Sequence, residues 1–397
     1  MGPDQLRRRL VDELLATRAI TKREVEAAFM RVPREAFVPH VSLEAAYRDQ
    51  AIPCKFDENG SAISSSSQPA IMALMLEQLD VRPGMRVLEV GAGSGYNAAL
   101  LCELAGAQGH VTSIDIDAEL VADAGRKLRA AGYAGIELRC ADALGVVSCG
   151  ERYDRILLTA SSNEIAGAWI NALPDGGRIV LPLIFGLMQA SVAFSKRTDH
   201  LESESIVPAD FMMLRTLTAT SKLTVLGGVP SVRLRTKGVA VNADAVLANV
   251  TGETRKYPIA GPRPDMWALA LWIDVHDLQF CRMAAHDEAA RRGLVPRYGE
   301  VRSADPFVAT EGLCDGENFV LLRGGNDDTI ELVGYGHGAA LAQRLQSHIV
   351  AWRAHGSPTQ QQLQVSAFPD QRDACDAAVV LRSADSTTIV RYRRSPP

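Results

Sequence analysis

The stretch VLEVGAGSGYN, residues 87–97, predicts a strand, a tight turn and a helix in succession. An apolar run from Met85 to Val90 is typical of a buried strand, and residues 98–105 are typical of a helix. Between them a glycine occupies every second position, where a Cβ would block positive φ angles and keep a ligand from the main chain. The helix that follows leaves its first backbone N–H groups unpaired. We therefore expect a ligand to lie against this glycine turn.

The spacing of the glycines distinguishes between two kinds of ligand. A dinucleotide fingerprint has the pattern G-x-G-x-x-G with a phosphate at the helix N-terminus, whereas here the third glycine is Gly95 and Tyr96 follows it. Glu89, two residues before Gly91, would repel a pyrophosphate but would attract a cationic amino group. The turn therefore favours a ligand that carries an amine.

Two further predicted strands end at acidic residues. Residues 111–115 form an apolar run that ends in Asp115, which is placed to accept both hydroxyls of a ribose. Residues 136–140 form another run, and Asp142 follows it, where its carboxylate could accept the exocyclic amine of an adenine. S-adenosylmethionine is a ligand that carries an amine, a ribose and an adenine.

This pattern resembles the class I methyltransferases, in which E-x-G-x-G-x-G is followed by an acid that binds the ribose. Glu89, Gly91, Gly93, Gly95 and Asp115 match that pattern. The resemblance implies that the cofactor is S-adenosylmethionine. Asp142 and Thr159, each at the end of a later predicted strand, are expected in the same cofactor site. A glycine-rich turn alone occurs in many α/β proteins, so the assignment of S-adenosylmethionine depends on the acidic residues at the ends of neighbouring predicted strands.

Composition and length limit the alternatives. The chain has 397 residues, which exceeds the usual size of one domain, and a net charge of −5, which gives no reason to expect nucleic-acid binding. Its seven scattered cysteines include no C-x-x-C pair, so neither a disulfide framework nor a metal site is expected. The charged N-terminus and the lack of a long apolar stretch predict a cytoplasmic protein without membrane contact.

The order of predicted elements indicates two domains. From Arg86 onward strands and helices alternate, which predicts a parallel, doubly wound sheet with helices on both faces. Two antiparallel strands, at residues 190–195 and 211–219, are expected to complete it, and residues 227–230 (GGVP) break the pattern. Beyond the break the periodicity is mixed.

We therefore expect an α/β, Rossmann-like class I methyltransferase domain over residues 1–225 and an accessory α+β domain over residues 231–397. Residues 1–80 of the first domain are expected to be a largely helical N-terminal segment.

Several segments around the glycine turn resemble protein-L-isoaspartate O-methyltransferases. They are Arg31–Pro39, Ala45–Asp49, Ser64–Pro69, Tyr153–Ala160 and Leu173–Arg178. The resemblance covers about residues 20–220. It implies transfer of a methyl group to the α-carboxylate of an isoaspartyl residue, after which the ester collapses to a succinimide.

The serine run carries the expected acceptor site. Ser65 and Ser67 match the family's hydroxyl positions beside the acceptor carboxylate, and we assign them as catalytic. The family usually has Thr-Ile-Ser in this loop, and its ribose acid is commonly Glu where this chain has Asp115. A carboxylate with a pKa near 4 is already ionised at neutral pH, so the absence of a recognisable general base is expected.

Three functions are compatible with the sequence. The region after about residue 230 resembles the added module of methyltransferases that act on ribosomally made, modified peptides, which predicts a dedicated precursor peptide gripped by the accessory domain. The second function is general repair of isoaspartate in proteins, and the third is a non-catalytic scaffold that retains the cofactor fold. Each predicts a peptide or protein partner; the number of chains in the assembly is not predicted.

Overall fold

Two large β-sheets, one of ten strands and one of seven, organise the chain together with a separate two-stranded hairpin. The computed structural model describes residues 1–58, 62–145, 150–215, 222–225, 232–286, 307–324, 329–374 and 379–393. The helices are α1 (Pro3–Ala16), α2 (Arg23–Arg31), α3 (Leu43–Ala46), α4 (Pro69–Leu79), α5 (Tyr96–Ala105), α6 (Ala118–Ala130), α7 (Gly167–Ala172), α8 (Ala243–Val250), α9 (Met266–His276) and α10 (Ala339–Ala354).

The strands are β1 (Ile52–Phe56), β2 (Ala62–Ser66), β3 (Arg86–Val90), β4 (His110–Asp115), β5 (Glu137–Cys140), β6 (Arg155–Leu158), β7 (Arg178–Ile184), β8 (Gln189–Lys196), β9 (Leu201–Pro208), β10 (Lys222–Val225), β11 (Val232–Thr236), β12 (Thr254–Ile259), β13 (Phe280–His286), β14 (Phe307–Cys314), β15 (Phe319–Gly324), β16 (Ile330–Tyr335), β17 (Leu363–Phe368), β18 (Val379–Arg382) and β19 (Thr387–Tyr392).

The ten-stranded sheet has the order β18-β19-β17-β9-β8-β7-β6-β3-β4-β5. Strands β5, β4, β3, β6 and β7 run parallel to one another, and β8 and β9 follow as antiparallel strands. This topology confirms the predicted α/β fold. It also places the ends of β3, β4, β5 and β6 at one edge of the sheet, which is where ligands of such sheets bind.

Helices cover both faces of this sheet because successive strand residues point to opposite sides. On β3, Val87 packs into a core shared with α1, α2, α4 and α5, whereas Leu88 and Val90 pack into a second core. That second core also holds Trp169 of α7 and Leu269 of α9. Since α9 belongs to the accessory region, the two regions share one hydrophobic core.

The accessory region is built on the seven-stranded sheet, in the order β10-β11-β13-β14-β15-β16-β12, and all its neighbouring strands are antiparallel. Its edge strand β10 lies in residues that were predicted to belong to the first domain. Helices α9 and α10 pack between the two sheets. The predicted α+β character of this region agrees with these elements.

The last strands of the chain differ from the predicted division at residues 225 and 231. Strands β17, β19 and β18 leave the accessory region and extend the ten-stranded sheet beyond β9. Val365 and Ala367 of β17 are buried in the shared core, which favours this position over a solvent-exposed one. Residues 363–392 therefore belong structurally with the first region, although sequence analysis assigned them to the second.

The second antiparallel strand of the first region also lies elsewhere than predicted. Residues 201–208 form β9, whereas residues 211–215 are irregular and residues 216–219 lie outside the described part of the chain. Strand β9 carries alternating glutamates and serines with only Leu201 and Ser203 buried, so it lacks the apolar pattern by which strands are detected. The predicted break at residues 227–230 also lies outside the described residues.

A buried carboxylate fixes the accessory region to the turn between β7 and β8. Asp274 of α9 is fully buried, and its Oδ2 accepts hydrogen bonds from the backbone N–H groups of Leu187 and Met188, at 2.9 and 2.8 Å. The Nζ of Lys237 lies 3.3 Å from Asp274 Oδ1. The carboxylate thus connects three segments from both regions.

None of the helices in the described residues is both long and apolar enough to span a bilayer.

We expect Asp274→Ala to lower the free energy of unfolding by about 3 kcal/mol, because it leaves two buried N–H groups without their acceptor and removes the carboxylate beside the Lys237 ammonium. The control is Asp373→Ala, which removes an ion pair to Arg382 in which the aspartate is 98% exposed, and should cost less than about 0.5 kcal/mol. Urea denaturation of both variants measures the difference. Equal losses would contradict the connecting role of Asp274.

Candidate active site

The glycine turn lies between β3 and α5 at the edge where the parallel strands end. Gly91, Gly93 and Gly95 have φ angles of +105°, +49° and +85°, which side-chain-bearing residues rarely adopt. The N–H of Gly91 donates to Ile114 O at 2.8 Å, which ties the turn to β4. A Cβ on Gly91 would overlap Thr159 Oγ1, which donates to Gly91 O at 2.8 Å. The turn therefore has its compact shape only with glycine at position 91.

The third glycine serves helix packing. Gly95 is the N-cap of α5, and a Cβ there would lie 3.3 Å from Ala124 Cβ and from Leu128 Cγ of α6. Gly95 therefore allows α6 to approach the turn. It does not line the cavity described below.

Glu89 differs from its predicted role as an acid that faces the cofactor. Its side chain is fully buried, Oε1 accepts from Asn97 Nδ2 at 2.7 Å and Oε2 accepts from Ser113 Oγ at 2.5 Å. Residue 89 is the fourth of five strand residues, so its side chain points between the sheet and α5 rather than beyond the strand end. Burial, which outweighs these hydrogen bonds, raises the pKa of Glu89 to about 7. The carboxylate holds Asn97, and Asn97 lines the cavity.

Asp115 lies at the end of β4 beside the glycine turn, as predicted. Its Oδ2 accepts from the N–H of Gly93 at 3.2 Å, and its Oδ1 accepts from the N–H of Asp117 and from Arg215 Nη2, both at 3.1 Å. Asp142 follows β5 at the same edge, since the N–H of the preceding Ala141 donates to Asp115 O. The Asp142 side chain is exposed and accepts from the N–H of Leu144.

The serine run forms the second strand of the hairpin β1–β2, in which Pro53 pairs with Ser65 and Ile52 with Ser66. The hairpin packs directly on the glycine turn, because Ser65 O would lie only 3.4 Å from a Cβ on Gly93. Shortly after the serines α4 begins, with Pro69 as its first residue.

A buried arginine holds the end of this hairpin. The guanidinium of Arg34 is fully buried and donates only to backbone carbonyl groups, among them Gln50 O at 2.9 Å and Ser67 O at 3.0 Å. Its remaining acceptors are Ala46 O and Arg48 O. The arginine also lies over the ring of Tyr96, at 5.8 Å from the centroid. The position of Ser67 is thus fixed from the N-terminal segment.

The glycine turn, the hairpin and Thr159 line one cavity, which is partly open to solvent. Five of the nine predicted site residues line it: Ser65, Ser67, Gly91, Gly93 and Thr159. Other polar lining residues are Ser66, Ser94 and Asn97, and the apolar or aromatic ones are Met72, Met75, Ala92, Tyr96, Leu157 and Phe211. Glu89, Gly95, Asp115 and Asp142 surround the cavity from outside its wall.

Nine of the fourteen lining residues were not predicted as site residues, among them Asn97 and Phe211. Asn97 lies in the first turn of α5, two residues after Gly95, and this position is the signal that could have identified it. Phe211 lies in an irregular segment, and no sequence pattern points to it. Among the described residues, Ser66 Oγ is a buried polar atom at the cavity without a hydrogen-bond partner, so it is available to a bound ligand.

Asp117 connects both sides of the cavity entrance. Lys55 Nζ of the hairpin lies 2.8 Å from Asp117 Oδ2, and Arg215 Nη1 lies 3.2 Å from the same oxygen. Burial acts in the opposite direction, but hydrogen bonds from Lys55, the N–H of Leu120 and Arg215 hold the pKa of Asp117 at about 2. The carboxylate is therefore ionised throughout the physiological range.

These residues fit S-adenosylmethionine. The glycine turn has no Cβ that would keep a ligand from the main chain, and the Asp115 carboxylate adjoins it through Gly93. Hydroxyl groups and apolar side chains alternate around the cavity, which suits a ligand with a polar amino-acid part and an adenine. Fold and site together define a class I, S-adenosylmethionine-dependent methyltransferase.

Comparison with known proteins specifies the family. The family model for protein-L-isoaspartate(D-aspartate) O-methyltransferase (PCMT) matches residues 5–219, more than half of the chain. The chain belongs to this family. The predicted family, enzyme class and cofactor are thereby confirmed.

Two relatives illustrate the extent of the similarity. The protein-L-isoaspartate O-methyltransferase of Hyperthermus butylicus is 38% identical over 222 residues, which cover 53% of this chain and 88% of that protein. That of Pyrobaculum islandicum is 36% identical over 208 residues, which cover 52% of this chain and 98% of that protein. Both similarities leave a large part of this chain unmatched.

A solved protein-L-isoaspartate O-methyltransferase structure aligns with nearly the whole molecule. It covers 91% of this chain and 96% of its own, with a TM-score of 0.51 and 22% sequence identity. The shared fold therefore extends into the accessory region.

We expect Gly91→Ala to weaken binding of S-adenosylhomocysteine by about tenfold or more, because the new Cβ strains the positive φ and overlaps Thr159. Gly84→Ala is the matched control, since Gly84 has a similar φ of +86° and nothing within 4 Å of the added carbon. Calorimetric titration gives both affinities. If Gly91→Ala and Gly84→Ala weakened cofactor binding equally, the prediction would be contradicted, because backbone strain alone would then explain the loss of affinity.

We expect a pH-dependent stability difference between the wild type and Glu89→Gln. The raised pKa of Glu89 means that its stabilising contribution is complete below its unfolded value of 4.5 and is lost as the pH rises to about 7. The unfolding free energy of the wild type should therefore fall, relative to the variant, by up to about 3 kcal/mol across this range and stay level above it. Urea denaturation between pH 4.5 and 8 tests this, and a constant difference would contradict it.

Proposed function

We propose that this enzyme methylates carboxylates of isoaspartyl or aspartyl residues in peptides and proteins, at the cavity between the serine hairpin and the glycine turn. The observation that carries the proposal is the packing of Ser65 against Gly93, which brings the predicted acceptor hydroxyls to the predicted cofactor turn. Membership of the isoaspartyl methyltransferase family supports the same reaction.

Different residues around the glycine turn would contact different parts of the cofactor. When bound, S-adenosylmethionine supplies an electrophilic methyl group on a positively charged sulfur. Gly91 and Gly93 would offer bare main chain to it, Asp115 would accept hydrogen bonds from the ribose hydroxyls, and Asp142 would accept one from the adenine amine. Asn97 is held by a hydrogen bond to Glu89 and lines the cavity. Asn97, rather than Glu89, would therefore present a polar group to the amino-acid part of the cofactor.

Ser65 and Ser67 hold the acceptor. A carboxylate is ionised at neutral pH, so it needs no base and must only be oriented. Hydroxyl groups donate hydrogen bonds to an oxygen without the attraction of a full positive charge, which would lower its nucleophilicity. The backbone of Ser67 is fixed by Arg34, so the orientation does not depend on the serine alone.

The apolar wall assists the transfer by excluding water. Met72, Met75, Leu157 and Phe211 line the cavity. Opposite charges on acceptor and donor are lost together in this reaction, and a dry environment favours that loss relative to water.

General repair of isoaspartate and a dedicated ribosomal precursor peptide are both compatible with membership of the family. The relatives carry the name of the isoaspartyl methyltransferase reaction, which supports either scope. About half of this chain lies beyond its shorter relatives, and this part is the reason to consider a dedicated peptide. The cytoplasmic location expected from the sequence also remains a prediction.

Two peptides distinguish these scopes. One contains a single isoaspartate in an arbitrary sequence, and the other is a precursor peptide encoded beside the enzyme. Mass spectrometry detects a gain of about 14 Da for a methyl ester and a loss of about 18 Da for a succinimide. Turnover of the first peptide supports repair, turnover of the second alone supports a dedicated substrate, and turnover of neither refutes the proposed reaction.

We expect Ser67→Ala to lower kcat/KM for the isoaspartyl peptide by about 10- to 100-fold, since it removes a hydrogen bond to a charged acceptor. Affinity for S-adenosylhomocysteine should change less than about twofold. Ser347→Ala, which removes a hydroxyl on the exposed face of α10, is the control. A Ser67 variant with normal kcat/KM would exclude its assignment as a catalytic residue.

A further inference from the structure

A short segment, residues 210–215, connects the accessory region with the cavity. We refer to it as the strap. It contributes Phe211 to the cavity wall and lies next to the cofactor acids. The predicted functions assign no role to it.

The middle of the strap is bound to the end of the ten-stranded sheet. The N–H of Phe211 donates to Gln189 Oε1 at 2.9 Å, and its carbonyl accepts from Gln189 Nε2 and Ser161 Oγ, both at 3.2 Å. Ser161 also exchanges two backbone hydrogen bonds with the strap, from its N–H to Met212 O and from the N–H of Leu214 to its own carbonyl, both at 2.8 Å.

Charged residues hold both ends of the strap. At one end Arg215 lies within 3.2 Å of the carboxylates of Asp115 and Asp117. At the other end Arg282 Nη1, on β13 of the accessory sheet, lies 2.9 Å from Asp210 Oδ2. Only the second of these contacts comes from the accessory region.

The accessory sheet fixes the position of Arg282. Its direct cross-strand partner on β14 is Glu311, and the Nε of Arg282 lies 3.3 Å from Glu311 Oε1. The Glu311 side chain is largely buried, so the arginine is held by a carboxylate that has little freedom to move. Arg282 therefore presents its outer nitrogen to Asp210 from a rigid strand.

We propose that Arg282 is a positioning residue through which the accessory region holds Asp210, and thereby Phe211, in place at the acceptor side of the cavity. The proposal rests on the proposed function, because it concerns affinity for the acceptor of the methyl group. Asp115 keeps its hydrogen bonds from Gly93 and Asp117 when the Asp210 end is released, so cofactor affinity depends much less on Arg282.

Kinetics with the isoaspartyl peptide test the proposal on the full-length enzyme. Arg282→Gln should raise KM for the peptide by about three- to tenfold, with the Kd of S-adenosylhomocysteine within about twofold of wild type, and Arg282→Lys should restore most of the affinity. Asp210→Asn, a change at an exposed position, should reproduce the effect even if Arg282→Gln folds poorly. In the double variant Arg282→Gln/Asp210→Asn, KM should rise no further than in either single variant, because both substitutions break the same ion pair.

The matched control is Arg344→Gln. Arg344 donates two hydrogen bonds to Asp277, of 2.6 and 2.9 Å. Both residues lie in the accessory region, and neither hydrogen bond involves the strap. The Arg344→Gln substitution should lower the free energy of unfolding at least as much as Arg282→Gln does, and it should leave KM for the peptide unchanged.

Hydrogen exchange supplies a readout that does not depend on turnover. Arg282→Gln and Asp210→Asn should speed exchange of the Phe211 and Leu214 amides, and Arg344→Gln should not. Faster exchange together with the higher KM supports the proposal, and either change without the other contradicts it. If the wild type does not methylate the peptide, the proposed function has failed, and exchange alone then decides whether Arg282 holds the strap.

Discussion

The close packing of Thr159 on the glycine turn, possible only without a side-chain carbon at position 91, is the constraint on which the site depends. Thr159 fills the space that a Cβ on Gly91 would need, and Ser65 O lies against Gly93. The turn therefore joins the ends of β3, β4 and β6 to the serine hairpin. The proposed cofactor and acceptor sites share one cavity because these segments are in contact.

Local patterns were sufficient to predict the parallel sheet, the glycine turn and the position of Asp115 at the end of β4, because each depends on residues close in sequence. The roles of Asp115, Ser65 and Ser67 stay predictions. The orientation of Glu89 was not predictable in this way, since the acid points into the sheet interior toward Asn97 and Ser113. Strand β9 escaped prediction because glutamates on one face and serines on the other make both of its faces polar, and the return of β17 to that edge depends on contacts about 160 residues apart. Phe211 reaches the cavity only through tertiary contacts of an irregular segment.

The accessory region is joined to the methyltransferase sheet by more than a linker. Both share a hydrophobic core through α9, Asp274 holds the turn between β7 and β8, and β17 to β19 extend the sheet itself. Such burial resembles the interior of one domain more than a contact between independent ones. An accessory region fixed in this manner can influence the cavity wall through the strap without contacting the substrate.

The most direct test of the account is a crystal structure of the full-length enzyme with S-adenosylhomocysteine and an isoaspartyl peptide. The account predicts the cofactor product against Gly91 and Gly93 with its ribose on Asp115, and the acceptor carboxylate within hydrogen-bonding distance of the Ser65 and Ser67 hydroxyls. A carboxylate bound elsewhere, or a cofactor product away from the glycine turn, would contradict it.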